Sequence, residues 1–410
     1  MKILYISQYF NPEIGATSNR TYSNAKYFSE KGHKVVILTE MPNRTKGKIF
    51  YDYKGKLFCY EKMNGFDVLR AWVYATPNRN FMTRLFTYFS FTITGLILAI
   101  TNWKRYDIVY VTSPPLPVGI IGIILKHLFQ DTKFIFEVRD LWPETAIVLN
   151  ELRNKLLIKI SRLLEEKCYS ISDKIFVISN YIKNEIIKKG IYRNKILVIM
   201  NGTDTNFFFK INNLEFKTQI GLKSKFVVVY AGILGLAQKL ETLLNAAKEL
   251  KNQKDIIFLI IGDGPEKLKL KIIAENSHLN NCKFIDEIPT SKIHKYLSIG
   301  DCGIVPLRKI KIFNGAIPSK LFDYMACELP VLLGVDGEAR EILQRSKGGI
   351  FYDPENVNDL IDKILWLKDN PEKREKMSKW GRKFVEHFFD RRKIAEKIGN
   401  IIFELTQHNN

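Results

Sequence analysis

Three glycine-bearing turns in the second half of the chain carry residue types suited to holding an anion. In Ile261-Gly262-Asp263-Gly264-Pro265-Glu266, an apolar run ends in glycines that let backbone approach a ligand. Pro265 suits the first position of a following helix, whose free N–H groups favour an anion or polar group. In residues 315–326, Pro318 or Ser319 opens a second helix, with Lys320 and Leu321 in its first turn. Its N–H groups and the Lys320 ammonium can meet a diphosphate, and Asp323, one turn on, can accept hydrogen bonds from two vicinal hydroxyls. In residues 230–239, Gly232 and Gly235 permit close approach, while Gln238 and Lys239 add a polar group and a cation. Each pattern alone is also an ordinary strand-to-helix turn. All three follow strand-like runs, and open α/β sheets bind ligands at the carboxyl ends of their strands.

The first half holds a second group. Gly15 ends the polar stretch after the first apolar run and can open a backbone loop for a ligand; a plain strand-to-helix turn is the alternative. Glu137, Arg139, Asp140 and Glu144 crowd more charge onto one strand end than a core-facing segment carries, which points to a functional site. Trp142-Pro143 beside them either stacks on a ligand or packs internally.

The elements that position these residues alternate along the chain. Short β-branched runs at 2–7, 34–39, 108–112, 134–138, 174–179 and 196–200 are separated by helix-compatible segments, the pattern of a parallel sheet. A polar stretch after Met200 reads as a linker, and the alternation restarts at 226–231, 256–262, 282–286, 301–306 and 330–333. The fold expected is α/β, with two Rossmann-like domains bordering a deep interdomain cleft. Boundaries are placed at 1–205 and 206–385, with a closing helix at 386–410 whose plain reading is a surface helix of the second domain.

A chain of 410 residues suits two domains, and its 46% hydrophobic and 26% charged composition is that of a globular protein. Five scattered cysteines, with no Cys-x-x-Cys pair, indicate neither a disulfide framework nor a zinc site, which fits a cytoplasmic setting. The formal net charge of +20 attracts phosphates, nucleic acids and anionic lipids alike. No helix-turn-helix, RNA-binding signature or zinc spacing accompanies it, so a nucleic-acid partner is not expected.

Taken together, these motifs resemble those of the family 4 retaining glycosyltransferases of GT-B fold. The resemblance spans nearly the whole length and is to the O-antigen and capsule branch that transfers N-acetylfucosamine-type sugars. It rests on residues 8–15 through Arg20, on 136–144, on 230–239 and 262–266, and on 318–326 followed by Pro330-Val331. It implies a UDP-linked nucleotide-sugar donor, a polyprenyl-diphosphate-linked glycan acceptor, transfer needing no cofactor or metal, and a C-terminal helix at 386–410 that crosses back to the first domain. The implied catalytic group is Glu137, Arg139, Asp140 and Lys320. The implied donor set is Gly15, Gly232, Gly235, Gln238, Lys239, Gly262, Asp263, Gly264, Arg308, Pro318, Ser319, Lys320, Leu321 and Asp323. The sequence departs from the family where a paired glutamate is replaced by Gly315 and loop cations by Ile233 and Gln238, leaving Lys320, Lys239 and Arg308 as replacements. A sugar-nucleotide epimerase on the same fold is the alternative enzyme, and a basic nucleic-acid-binding protein is the alternative from another class.

One segment bears on location. Residues 85–100 are uncharged and apolar but fall short of the ~20 residues that span a bilayer. Phe81, Phe86, Phe89 and Phe91 crowd one end, and Arg79, Arg84, Lys104 and Arg105 flank it, as in a helix lying on an anionic membrane surface. The alternative is a buried helix. The first reading places the protein peripherally at the inner face of the plasma membrane.

Overall fold

The computed structural model describes residues 1–13, 15–43, 47–77 and 81–407. It divides into two units, Met1–Met200 with Arg391–Asn410, and Asn201–Asp390. The chain thus crosses after Met200 and after Asp390, where boundaries at 205 and 385 are expected from sequence.

In the first unit β1 (Lys2–Ile6), β2 (Lys34–Glu40), β3 (Phe58–Met63), β4 (Phe66–Ala71), β5 (Ile108–Ser113), β6 (Lys133–Val138), β7 (Lys174–Val177) and β8 (Ile196–Val198) form one sheet. Its order is β3-β4-β2-β1-β5-β6-β7-β8, parallel except where β3 meets β4. Every residue of β5 is buried, as expected for strands covered by helices on both faces. Ile3 registers with Val35 on one side and Ile108 on the other, so β1 sits where the strand order reverses. The helices are α1 (Ala16–Glu30), α2 (Phe81–Thr101), α3 (Gly119–Leu128), α4 (Glu144–Val148), α5 (Lys155–Ile171) and α6 (Asn180–Lys188). The β3-β4 hairpin is not anticipated from the apolar runs. It turns on Asn64-Gly65, whose φ values of 47° and 90° match a two-residue turn with both central residues left-handed.

The second unit has β9 (Phe226–Ala231), β10 (Ile256–Ile261), β11 (Cys282–Ile285), β12 (Cys302–Pro306), β13 (Val331–Gly334) and the unanticipated β14 (Gly349–Phe351). All pairs are parallel, in the order β11-β10-β9-β12-β13-β14, so the strand order reverses at β9. Its helices are α7 (Leu214–Gln219), α8 (Glu241–Glu249), α9 (Lys267–Asn276), α10 (Thr290–Leu297), α11 (Ser319–Ala326), α12 (Glu338–Ser346), α13 (Val357–Asp369) and α14 (Pro371–Phe388). After Asp390, α15 (Arg391–Gln407) returns to the first unit. There Ala395, Ile398 and Ile402 join the core of Ile3, Tyr5 and Phe28.

The apolar segment flanked by arginines is longer than its uncharged stretch. As α2 it covers 21 residues, long and apolar enough to cross a membrane by length and composition, which corrects the shorter span expected. Phe91, Thr92, Gly95, Leu98 and Ala99 bury one face in the first unit. Met82, Phe86, Phe89, Ile93, Ile97 and Ile100 form the opposite, exposed stripe at helical spacing. Phe91 is thus a core residue, not a surface aromatic. Of the flanking cations Lys104 and Arg105 are exposed, Arg84 pairs with Glu151 at 2.8 Å, and Arg79 lies outside the described residues.

Candidate active site

The three glycine turns converge at the carboxyl edge of the second sheet, on β9, β10 and β12. The Leu234 amide donates to Asp263 O (2.9 Å) and the Glu266 amide to Leu234 O (3.0 Å), fastening the turns after β9 and β10 together. The Arg308 amide donates to Ala237 O (2.8 Å), tying in the turn after β12. Gly232 and Gly262 have φ of 144° and 142°, where L side chains are rare. A Cβ on Gly232 would stand 2.7 Å from the Lys320 ammonium, and one on Gly262 would collide with Gly232 O. Both positions therefore require glycine for close backbone approach.

Lys320 is the central cation. Pro318 occupies the N-cap of α11 with no side-chain cap, so the helix start is left to Ser319, Lys320 and Leu321. The Lys320 ammonium lies 5.1 Å from the centre of the Tyr230 ring. Removal from solvent pushes it down to about 8, with Asp323 acting in the opposite sense. Tyr230 donates from its hydroxyl to Ile233 O (2.5 Å), shaping the loop, and the Ala231 amide donates to the Tyr324 hydroxyl (2.8 Å), pinning α11 to β9. Asp323 accepts from the Thr203 hydroxyl at 2.7 Å.

The remaining expected residues lie on the same turns. Lys239 is left-handed (φ 47°) and its ammonium is 3.8 Å from Glu241, which Lys269 also holds at 2.6 Å. Arg308 is half-buried, and no acidic side chain among the described residues pairs with it. The Gln238 amide donates to Gly235 O (3.2 Å), and its side-chain oxygen lies over Gly235. Asp263 caps the Gly264 amide at 2.9 Å and lies 3.7 Å from Lys267. Since α9 starts at Lys267 after Glu266, Pro265 lies outside the helix, contrary to the expected first-turn position. Gly315 is buried, and the replacement at position 233, Ile233, is exposed.

The first unit is different. Glu137 is 1% exposed, and its Oε1 accepts from Arg20 Nε and the Tyr110 hydroxyl, both at 2.8 Å. Burial acts to raise its carboxyl, but Arg20 and Arg139 outweigh it and hold it below the usual range. Arg20 also donates to Ile199 O (3.2 Å) and Met200 O (3.1 Å). This corrects the expectation of an open, charged strand end: Glu137 is one half of a buried ion pair. Arg139 donates to the Thr112 hydroxyl (2.9 Å) and Pro114 O (3.1 Å) and contacts Thr17. Asp140 accepts from the Thr145 hydroxyl at 2.7 Å, and burial raises its carboxyl. Gly15 is the extended N-cap of α1, and Ile14 before it lies outside the described residues.

Several members of these sites were not legible from sequence. Tyr230, Tyr324 and Thr203 look like core or linker residues until the fold sets them against Lys320 and Asp323. At the carboxyl ends of β1 and β2, Gln8 donates to Glu40 (2.6 Å), the Asn43 side chain donates to Glu40 (2.8 Å), and the Asn43 amide donates to Glu13 (2.6 Å). All four are buried, and only the cluster of polar letters around Gln8 hinted at them. Among the described residues no three His, Cys, Asp or Glu side chains are grouped to share a metal ion.

Comparison with known proteins agrees with this architecture. Residues 17–207 match the model "Glycosyltransferase Family 4", and residues 212–384 match "Glycosyl transferases group 1". A putative colanic acid biosynthesis glycosyl transferase, WcaI of Escherichia coli K12, is 22% identical over 98% of this chain and 100% of its own length. The uncharacterized glycosyltransferase MJ1178 of Methanocaldococcus jannaschii is 24% identical over 66% of this chain and 68% of its own. Among solved structures, sucrose-phosphate synthase from Thermosynechococcus elongatus superposes with a TM-score of 0.79 at 16% identity, covering 100% of both chains. Anabaena HepE, in complex with UDP-glucose, gives 0.74 at 16% identity over 98% of this chain and 100% of that one. With a family 4-type domain followed by a group 1 domain, each on its own α/β sheet, the chain is a glycosyltransferase of the GT-B type.

Proposed function

We propose that this enzyme moves a sugar, with retention, from a UDP-linked donor to a glycan on polyprenyl diphosphate, in surface polysaccharide synthesis such as that of O-antigen or capsule. The sugar proposed is an N-acetylated deoxyhexosamine of the N-acetylfucosamine type. The observation that carries the reading is Lys320, held over the Gly232 backbone at the start of α11 with Asp323 one turn behind. A cation and free helix N–H groups suit a diphosphate, and the carboxylate suits ribose hydroxyls. HepE bound to UDP and UDP-glucose, and WcaI named for colanic acid biosynthesis, support donor and pathway class.

In this scheme the bond between the anomeric carbon and the diphosphate oxygen breaks as the acceptor hydroxyl oxygen bonds to the same carbon and face. The hydroxyl proton passes to the departing diphosphate. Lys320, Lys239 and Arg308 supply positive charge where the leaving group gains negative charge, so the scheme calls for no metal or other cofactor. Groups so placed contribute roughly 2.7–4 kcal/mol each. The exposed α2 stripe, with Lys104 and Arg105 at its end, supports a peripheral position on the anionic inner face of the plasma membrane, where such an acceptor resides.

The test is incubation of purified protein with a panel of nucleotide sugars and polyprenyl-diphosphate-linked glycans. Product should require both substrates and keep the donor's anomeric configuration. Donor isomerisation without acceptor would replace the reading with an epimerase; no reaction combined with salt-sensitive nucleic-acid binding would remove it.

A further inference from the structure

A shallow groove of about 520 Å³ opens on the first unit between α4 and α5, and none of the residues expected to be catalytic or to bind the donor lines it. Ile147, Ile158 and Leu163 give it apolar walls, while Lys155, Lys159 and Arg162 supply cations and Glu166 lies two turns along α5 from Lys159. Arg162 is committed to Glu144 at 3.2 Å. No acidic side chain among the described residues pairs with Lys155 or Lys159, which stand one helical turn apart on α5. The apolar surface continues beyond the groove through Val148, Leu156 and Ile160, all at least 41% exposed.

Two further observations place the groove. The Arg84–Glu151 ion pair (2.8 Å) joins the first turn of α2 to the turn between α4 and α5, so the exposed α2 stripe begins beside it. And α4 follows the carboxyl end of β6 by one short loop, the loop that bears Arg139 and Asp140. Apolar walls, a pair of unmatched ammonium groups, a bilayer-type surface on one side and the sheet's carboxyl edge on the other describe an amphiphile with one hydrocarbon chain and a compact polyanionic head. The volume lies within the range of small-molecule sites.

We propose that this groove seats the first isoprene units of the polyprenyl acceptor, with its diphosphate on Lys155 and Lys159. The inference rests on the acceptor class proposed above and adds the place where that acceptor is held. It separates recognition of the lipid from recognition of the glycan: the groove sets affinity for the carrier, and the carboxyl edge sets the chemistry.

The experiment compares Ile158→Ser/Leu163→Ser and Lys155→Gln/Lys159→Gln with the parent enzyme. The same glycan is offered on a long-chain polyprenyl diphosphate and on a short water-soluble alkyl diphosphate. Loss of the apolar walls should raise KM for the long-chain acceptor about 10-fold and leave kcat and the short-chain reaction unchanged. Loss of the lysines should raise KM for both acceptors. An equal change for both acceptors in the wall variant, or none for either, overturns the groove assignment while leaving transfer intact. Photo-crosslinking gives a readout without turnover. A diazirine-bearing polyprenyl diphosphate should label α4 and α5, whereas a diazirine phospholipid in vesicles should label α2; phospholipid labelling of the groove with no polyprenyl labelling makes it bulk membrane surface and ends the proposal. A parent enzyme that uses only lipid-free acceptors ends the acceptor reading itself.

Discussion

The carboxyl edges of the two sheets solve opposite problems with similar residues. At the second edge, glycine turns leave room beside Lys320, whose charge is removed from solvent with only Asp323 acting to favour it. At the first, the equally charged segment 137–144 turns inward, and Glu137 meets Arg20 and Tyr110 in the core. The difference lies in what each charge has as a partner. A charge matched within the protein holds the fold, whereas one whose charged form the fold disfavours gains most when a ligand of opposite sign arrives.

The strongest way to break this contrast is Glu137→Ala. With Arg20 left buried and unpaired, unfolding free energy should fall by about 3–5 kcal/mol in urea titrations, while activity per folded molecule stays close to the parent's. A stable variant with lost turnover would return Glu137 to the reaction. Lys320→Ala should behave in reverse. Its kcat/KM should drop roughly 10²–10³-fold with the melting temperature nearly unchanged, because its target charge grows as the diphosphate leaves. Parent-like kinetics would take Lys320 out of the site.

The titration of Lys320 sharpens the same point. Below about 8 it carries its charge; as pH rises through that value the free enzyme loses it, so donor-limited kcat/KM should fall on the alkaline side. Lys320→Arg should abolish that limb, and a limb that persists in the arginine variant belongs to another group. The stability sign is opposite: the unfolded lysine binds its proton more tightly, so this group makes folding less favourable as pH drops from the unfolded value near 10.4 to about 8.

Asp323→Ala should weaken nucleotide binding by about 1.5–3 kcal/mol in calorimetry, the scale of a charge-assisted hydrogen bond. Unchanged affinity in a folded variant would leave Asp323 a structural role, such as its hydrogen bond with Thr203. The smallest effect is expected at the membrane, where each basic residue contributes about 1 kcal/mol near an anionic surface. In flotation with acidic vesicles, binding should be reversible, weaken with salt, and weaken again when Phe86, Phe89 and Ile93 become Ser. Phe91→Ser should act on stability instead, since that ring is fully buried.

Central strands were legible because continuous apolar runs such as 226–231 and 256–261 have few alternatives to a doubly covered parallel sheet. The glycine turns were legible for the same local reason. The β3 edge was not, because its residues alternate between exposed and half-buried and only Asn64-Gly65 marks the hairpin. Burial of Glu137 could not be read locally, since its partner Arg20 is remote in sequence and arrives through sheet order. Nor could the face of α2: Phe91 and Ile93 are equally apolar as letters, and packing against α3 through Gly95 decides which is hidden. Tyr230 and Tyr324 illustrate the general limit. A positioning residue carries no signature of its own until the group it positions has been placed.

The return of α15 has a consequence for biosynthesis. The second unit is a continuous stretch, Asn201–Asp390, and emerges from the ribosome whole. The first unit begins earlier but closes its core with Ala395, Ile398 and Ile402, so the apolar surface around Ile3, Tyr5 and Phe28 stays uncovered until translation has passed them. The nascent chain therefore inverts the usual amino-to-carboxyl order of domain completion, holding an unfinished first half while the second matures.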